Sequence, residues 1–245
     1  MYVVGNWKMY KTVKETEAFL KAILPDLPRF SAEAWLAVPY TSILTAARLA
    51  LGTTLRIGAQ NLYGEKEGAY TGEISSRMLA DAGASFVLIG HSERRQIFHE
   101  ESPLLNRKIA LALEAKLQPL FCVGETLMER EKGMTEEVLQ RQLVEALVGF
   151  KKEDLHKIII AYEPVWAIGT GKVATSEIAE KAHAAIRYVL EKNFDMKELP
   201  LLYGGSVKPE NAAALLQQPD IDGLLVGRAS LSHETFLQIL ARASS

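Results

Sequence analysis

The chain has 245 residues, 48% of them hydrophobic and 24% charged, which is enough apolar material for one barrel or two small domains. A formal net charge of -2 and a sequence pI of about 6.3 leave no basic field to attract nucleic acid or an anionic membrane. Any anionic ligand must be held locally.

Short apolar runs alternate with amphipathic stretches from end to end. In chain order, strands are predicted at Tyr2 to Gly5, Ala34 to Val38, Leu55 to Ala59, Phe86 to Ile89, Pro119 to Val123, Ile158 to Tyr162, Leu201 to Tyr203 and Leu224 to Val226. Helices are predicted between and after them at Val13 to Leu24, Ser42 to Leu51, Ser75 to Ala82, Pro103 to Lys116, Glu136 to Val148, Ser176 to Lys192, Glu210 to Leu216 and His233 to Ala243. The first helix opens on a capping box of Thr12 and Glu15. About eight such units in about 250 residues is the arithmetic of a closed (β/α)8 barrel, since open doubly wound sheets usually stop at five or six strands. No linker, charge block or low-complexity tract interrupts the pattern, so an α/β fold with one domain over residues 1–245 is expected.

The single cysteine, Cys122, excludes an intrachain disulfide, and its place in LQPLFCVGE favours a packed small hydrophobe over a nucleophile. The start, MYVVGNWKM, has no basic region followed by a long apolar core, and no run reaches roughly 18 uninterrupted apolar residues. A cytoplasmic, untethered protein is expected.

In a barrel of this type the chemistry lies where strands end and their following loops begin. That rule selects Asn6 and Lys8 after the first strand, and His91, Ser92 and Glu93 after the fourth. It also selects Glu163 after the sixth strand, Gly204, Gly205 and Ser206 after the seventh, and Gly227 and Arg228 after the eighth.

The most informative of these segments is YEPVWAIGTGK, from Tyr162 to Lys172. Pro164 fixes φ on one side and Gly169 and Gly171 supply freedom on the other, so Val165, Trp166, Ala167 and Ile168 read as a semi-rigid apolar lid. A lid over the lone carboxylate of Glu163 makes a dry site for a general base. Taken alone, the segment reads equally well as a surface loop starting at a solvated glutamate.

His91 begins HSERR, a polar stretch able to start a helical turn, where a positive charge is disfavoured and a neutral imidazole is favoured. A hydrogen-bonded structural histidine is the plainer alternative. His99, His156, His183 and His233 show no paired metal-ligand spacing, so no metal site is expected. Lys8 shares a face with Asn6 and is costly inside the barrel mouth unless it meets an anion; pointing outward it is an ordinary solvated lysine. GGSV at Gly204 to Val207 and VGRAS at Val226 to Ser230 read as a phosphate cradle of exposed backbone N-H groups, or as turn glycines with no ligand. Together the pieces propose a small phosphorylated substrate. With no cofactor motif, proton abstraction next to a carbonyl is the simplest chemistry.

Six segments carry a resemblance: GNWKM at Gly5 to Met9, GAYTGE at Gly68 to Glu73, IGHSERR at Ile89 to Arg95, CVGE at Cys122 to Glu125, AYEPVWAIGTGK at Ala161 to Lys172, and YGGSV at Tyr203 to Val207. In order and at family spacing, they resemble the triosephosphate isomerases. The resemblance implies a TIM barrel and a cofactor-independent enzyme interconverting dihydroxyacetone phosphate and D-glyceraldehyde 3-phosphate through an enediolate, in glycolysis and gluconeogenesis. It implies that Glu163 carries the proton between the two carbons and His91 serves the two oxygens. Lys8 stabilises negative charge, Asn6 bonds nearby and Glu93 holds the lysine. The family is itself a standard example of a glutamate base, a neutral histidine and a closing lid, so these roles come with the resemblance.

The resemblance further implies backbone contacts to phosphate near Gly169, Gly205, Ser206, Gly227 and Arg228. The lid would run from Pro164 through Thr170, Gly171 and Lys172, with Ile168 closing over Glu163 against Leu225 to desolvate it. A homodimer is implied, Thr71 reaching the neighbouring subunit and Met9 lying at the contact; a flexible exposed loop is what the sequence alone would also permit. Two positions depart from the family: Arg228, where a second glycine is usual, and Val173, where threonine is common behind the lid. The alternatives are a catalytically impaired phosphate-binding barrel, a phosphate-binding barrel enzyme with a different base, and a Schiff-base aldolase using Lys8.

Overall fold

A computed structural model describes residues 1–168 and 174–244. Eight parallel strands close into a barrel in chain order, β8 pairing back onto β1. They are β1 Tyr2–Asn6, β2 Glu33–Val38, β3 Arg56–Ala59, β4 Phe86–Ile89, β5 Gln118–Val123, β6 Ile159–Tyr162, β7 Leu201–Tyr203 and β8 Gly223–Val226. Every expected strand is present, with ends moved by a residue at most.

Among the described residues the helices are α1 Val13–Ile23, α2 Ile43–Ala50, α3 Ser76–Asp81, α4 Ser92–Ile97, α5 Ser102–Glu114, α6 Leu127–Glu131, α7 Thr135–Leu147, α8 Lys152–Leu155, α9 Ser176–Phe194, α10 Pro209–Leu216 and α11 His233–Ala243. The Thr12 and Glu15 capping box forms, the Thr12 amide donating to Glu15 Oε2 at 2.7 Å. The second helix begins at Ile43 because Tyr40–Ser42 wind as a 3-10 turn.

Side chains alternate across each strand, so the barrel has two cores. Val4, Trp35, Phe86, Leu88, Leu120, Cys122, Ile159, Leu202 and Leu225 fill the interior, while the opposite strand faces pack under the helices. Cys122 is fully buried in that interior layer. A filled interior makes the barrel a rigid support, and the loops leaving the strands' carboxyl ends are fixed by it.

Candidate active site

All the expected rim residues but Ser92 line one cleft of about 540 Å³, which gathers Asn6, Lys8, His91, Glu93 and Glu163 with Gly204, Gly205, Ser206, Gly227 and Arg228. Ile168 and Leu225 line it as well.

On the β1 side, Trp7 is fully buried and its indole N-H donates to the Ser230 carbonyl at 3.1 Å. The buried tryptophan anchors the chain, so Asn6 and Lys8 on either side of it turn to the cleft. Lys8 sits in the left-handed region with φ 52°, an uncommon conformation for a residue with a side chain. Two bonds hold it there: its amide donates to Asn6 Oδ1 at 2.9 Å, and Gln60 Nε2 donates to its carbonyl at 2.8 Å. Its ammonium meets Glu93 Oε1 at 2.6 Å.

After β4, Gly90 takes φ 73°, where a Cβ would press on Phe121 and the Cys122 carbonyl, and this turn aims His91 at the cleft. His91 caps α4, its Nδ1 accepting the Glu93 amide at 3.3 Å. Accepting there leaves the ring proton on Nε2, which lies 2.9 Å from Glu163 Oε1. The other carboxylate oxygen of Glu163 accepts the Ser92 amide at 2.8 Å.

Glu163 is only 2% exposed. Burial by itself would raise its carboxyl pKa, but His91 and the Ser92 amide outweigh burial and hold it below the ordinary value. His91 is the mirror image: burial works against the imidazolium, and the carboxylates of Glu163 and Glu93 overcome it and raise the pKa. With Nδ1 accepting the Glu93 amide, the neutral form of the ring is the tautomer that carries its proton on Nε2, facing Glu163.

Several contributors were not singled out from sequence. Glu125, fully buried, accepts from the Tyr162 hydroxyl at 3.1 Å and from Trp166 Nε1 at 2.9 Å, while the Val165 amide donates to its carbonyl. It therefore ties down the segment after Pro164, where Val165–Ala167 wind as a 3-10 turn. Gly124 passes so close to the Glu163 backbone that a Cβ would overlap the Glu163 carbonyl oxygen. Lys108, 1% exposed, donates to Asn61 at 2.7 Å and to Glu100 at 2.6 Å, and Glu100 also receives Arg94 of α4 at 2.6 Å. This network braces α4, the helix that presents Ser92 and Glu93.

The loops after β7 and β8 are shaped by Asn211 Nδ2 donating to the Ser206 carbonyl and by Ser230 Oγ donating to the Gly227 carbonyl. Arg228 is exposed and is not among the residues with positive φ. Ile168 is half-buried on the cleft wall, and Leu225, also on that wall, is buried. Gly169, Thr170, Gly171, Lys172 and Val173 lie outside the described residues. Thr71 is exposed, and so is Met9, at 95%. Among the described residues no group of three or more His, Cys, Asp or Glu side chains is placed to hold a metal ion, and no helix is long and apolar enough to cross a membrane.

The family model described as triosephosphate isomerase matches residues 1–243. The chain belongs to the triosephosphate isomerase family. It is 49% identical over 241 residues to the triosephosphate isomerase of Protochlamydia amoebophila, covering 97% of this chain and 91% of that one. It is 47% identical over 245 residues to that of Fusobacterium nucleatum, covering 98% and 97%. The crystal structure of triosephosphate isomerase from Bartonella henselae superposes with a TM-score of 0.90 at 40% identity, over 100% of this chain and 99% of that one. Membership of the triosephosphate isomerase family makes this chain an isomerase built on the (β/α)8 barrel.

Proposed function

We propose that the chain interconverts dihydroxyacetone phosphate and D-glyceraldehyde 3-phosphate without a cofactor, the whole of residues 1–245 acting as one catalytic unit in the glycolytic and gluconeogenic direction, in the cytoplasm. The observation that carries the reading is the pairing of a buried carboxylate with a buried imidazole: Glu163 and His91 meet at 2.9 Å inside one cleft.

In this reading Glu163 takes the proton from the substrate carbon, exchanging its bonds to His91 and Ser92 for the substrate as it does so. Leaving those bonds removes the partners that depress its pKa and makes it a stronger base. The same departure removes the carboxylate that raises the His91 pKa, so the neutral imidazole donates its Nε2 proton to the carbonyl oxygen and recovers one from the neighbouring hydroxyl, while Glu163 returns its proton to the adjacent carbon. Lys8 balances the negative charge that collects on the oxygens, its position held by Glu93 and Asn6. The phosphate rests on backbone N-H groups of Gly205, Ser206, Gly227, Arg228 and Gly169. The lid, Pro164 to Lys172, excludes water, with Ile168 and Leu225 covering the base and shielding the enediolate from loss of phosphate. A steady-state assay of interconversion tests the reaction: folded protein without turnover would remove this reading in favour of a phosphate-binding barrel.

We further propose a homodimer. The loop from Gln60 to Glu73 closes on itself, the Tyr63 amide donating to the Ile74 carbonyl and the Tyr63 and Tyr70 rings packing at 4.7 Å. A second cleft opens onto Lys8, His91 and Glu93 beside exposed Met9 and Phe98, and it has the placing needed to receive the Thr71 tip of a partner's loop. Sedimentation equilibrium is expected to give twice the chain mass, and Thr71→Arg to give monomers with reduced turnover. A monomeric wild type with full activity would contradict the pairing.

A further inference from the structure

Among the described residues, most arginines close to the barrel are paired. Arg187 meets Asp220 and Asp222, Arg130 meets Glu125, and Arg94 meets Glu100. Arg228 is different. It stands at the end of β8, opens the 3-10 turn Arg228–Leu231 and lines the cleft that holds Glu163, yet its guanidinium has no carboxylate or carbonyl partner among the described residues. Lys208, exposed on the loop after β7, lines the same cleft and its ammonium is likewise without an ion-pair partner there. Two free cations therefore flank Ser206 and Gly227, in a chain whose formal net charge is -2.

A guanidinium kept free of carboxylates at the edge of a cleft retains its five donors for an incoming anion, and its planar fork matches phosphate oxygens. Resting on the isomerase reading above, we propose that Arg228 is a specificity-determining residue whose guanidinium, supported by the Lys208 ammonium, adds a charged contact to the phosphate end of the ligand beyond that of the backbone amides. Because both side chains are solvent-exposed, the contact is screened by salt, whereas backbone amides are affected much less. Arg228 lies at the phosphate end of the cleft and takes no part in proton transfer, so it acts on binding. The ligand class favoured is a small dianionic phosphate over an uncharged triose of the same shape.

The test is calorimetric titration of the whole protein with inorganic phosphate at about 20 mM and about 300 mM salt, a range that shortens the screening length several-fold. Arg228→Gln is expected to weaken phosphate binding by roughly 3- to 10-fold at low salt, with the difference shrinking towards none at high salt. Arg228→Lys is expected to keep much of the affinity and its salt dependence, and Lys208→Gln to show a smaller loss of the same kind. In turnover, the Arg228→Gln loss should appear in KM for D-glyceraldehyde 3-phosphate and shrink with added salt as the phosphate affinity does. Equal phosphate affinity in Arg228→Gln and wild type at low salt would overturn the proposal. So would a loss that persists undiminished at high salt, since that means a disturbed loop. A wild type that fails to isomerise but binds phosphate in this Arg228-dependent way would remove the isomerase reading and leave the phosphate contact standing.

Discussion

Glu163 Oε1 and His91 Nε2 are bonded to each other at 2.9 Å, so the two groups assigned to carbon and oxygen proton transfer are mutual partners. This bond has a pH signature. Glu163 has a folded pKa below its ordinary 4.5, so its contribution to stability is present above that value and is lost as pH falls through the folded pKa. His91 has a folded pKa above its ordinary 6.5, so its contribution is complete below that value and is lost as pH rises through the folded pKa. Urea unfolding of wild type and Glu163→Gln should therefore differ most between the two ordinary values, pH 4.5 and 6.5, and converge on the acid side. A difference independent of pH would contradict the coupling.

Gly124 sets the position of Glu163. A methyl group there overlaps the Glu163 carbonyl oxygen, and the two Gln142 bonds to the Gly124 backbone, at 2.9 and 3.0 Å, resist any retreat. Gly124→Ala is expected to lower kcat by about 100-fold through displacement of the carboxylate, with a stability loss of about 1–3 kcal/mol. Steady-state kinetics and urea melts check both; near-wild-type kcat would show that Glu163 tolerates the shift.

The Lys108, Glu100 and Arg94 network gives a stability expectation. Lys108→Met removes one partner of a buried carboxylate while Arg94 remains, and burial already works against the Lys108 charge, lowering its pKa. The expected cost is about 3 kcal/mol in urea unfolding, with turnover falling because α4 carries Ser92 and Glu93. A neutral substitution would mean that the cluster is dispensable to the site.

The strands were legible because strands buried on both faces have to be continuously apolar, and VLIG, PLFCV and IIIAY have few other uses. The three short helices were harder. α4 was anticipated only as a helical turn at HSERR; α6 announces itself by the Thr126 and Glu129 capping box, a signal present in the sequence; α8, with four residues, has almost no periodicity to read. The rim residues were legible by position, since a strand end in a barrel is a place. What escaped were particular contacts made through backbone or distant packing: the Ser92 amide on Glu163, the Gly124 approach, and Glu125 on the Trp166 indole. Lys108 escaped for a related reason. A lysine in an amphipathic helix reads as solvated, and only the fold brings Asn61 and Glu100 to it.

The central claim is that Glu163 moves a proton between adjacent carbons of a triose phosphate. Incubation with dihydroxyacetone phosphate in deuterated solvent tests it most directly, reading both conversion and deuterium at the exchanging carbon by NMR. Wild type is expected to form D-glyceraldehyde 3-phosphate with deuterium incorporated. Glu163→Asp, its carboxylate drawn back by one methylene, should do both at least about 100-fold more slowly. Conversion by Glu163→Asp at the wild-type rate, or a folded wild type that neither converts nor exchanges, would contradict the account.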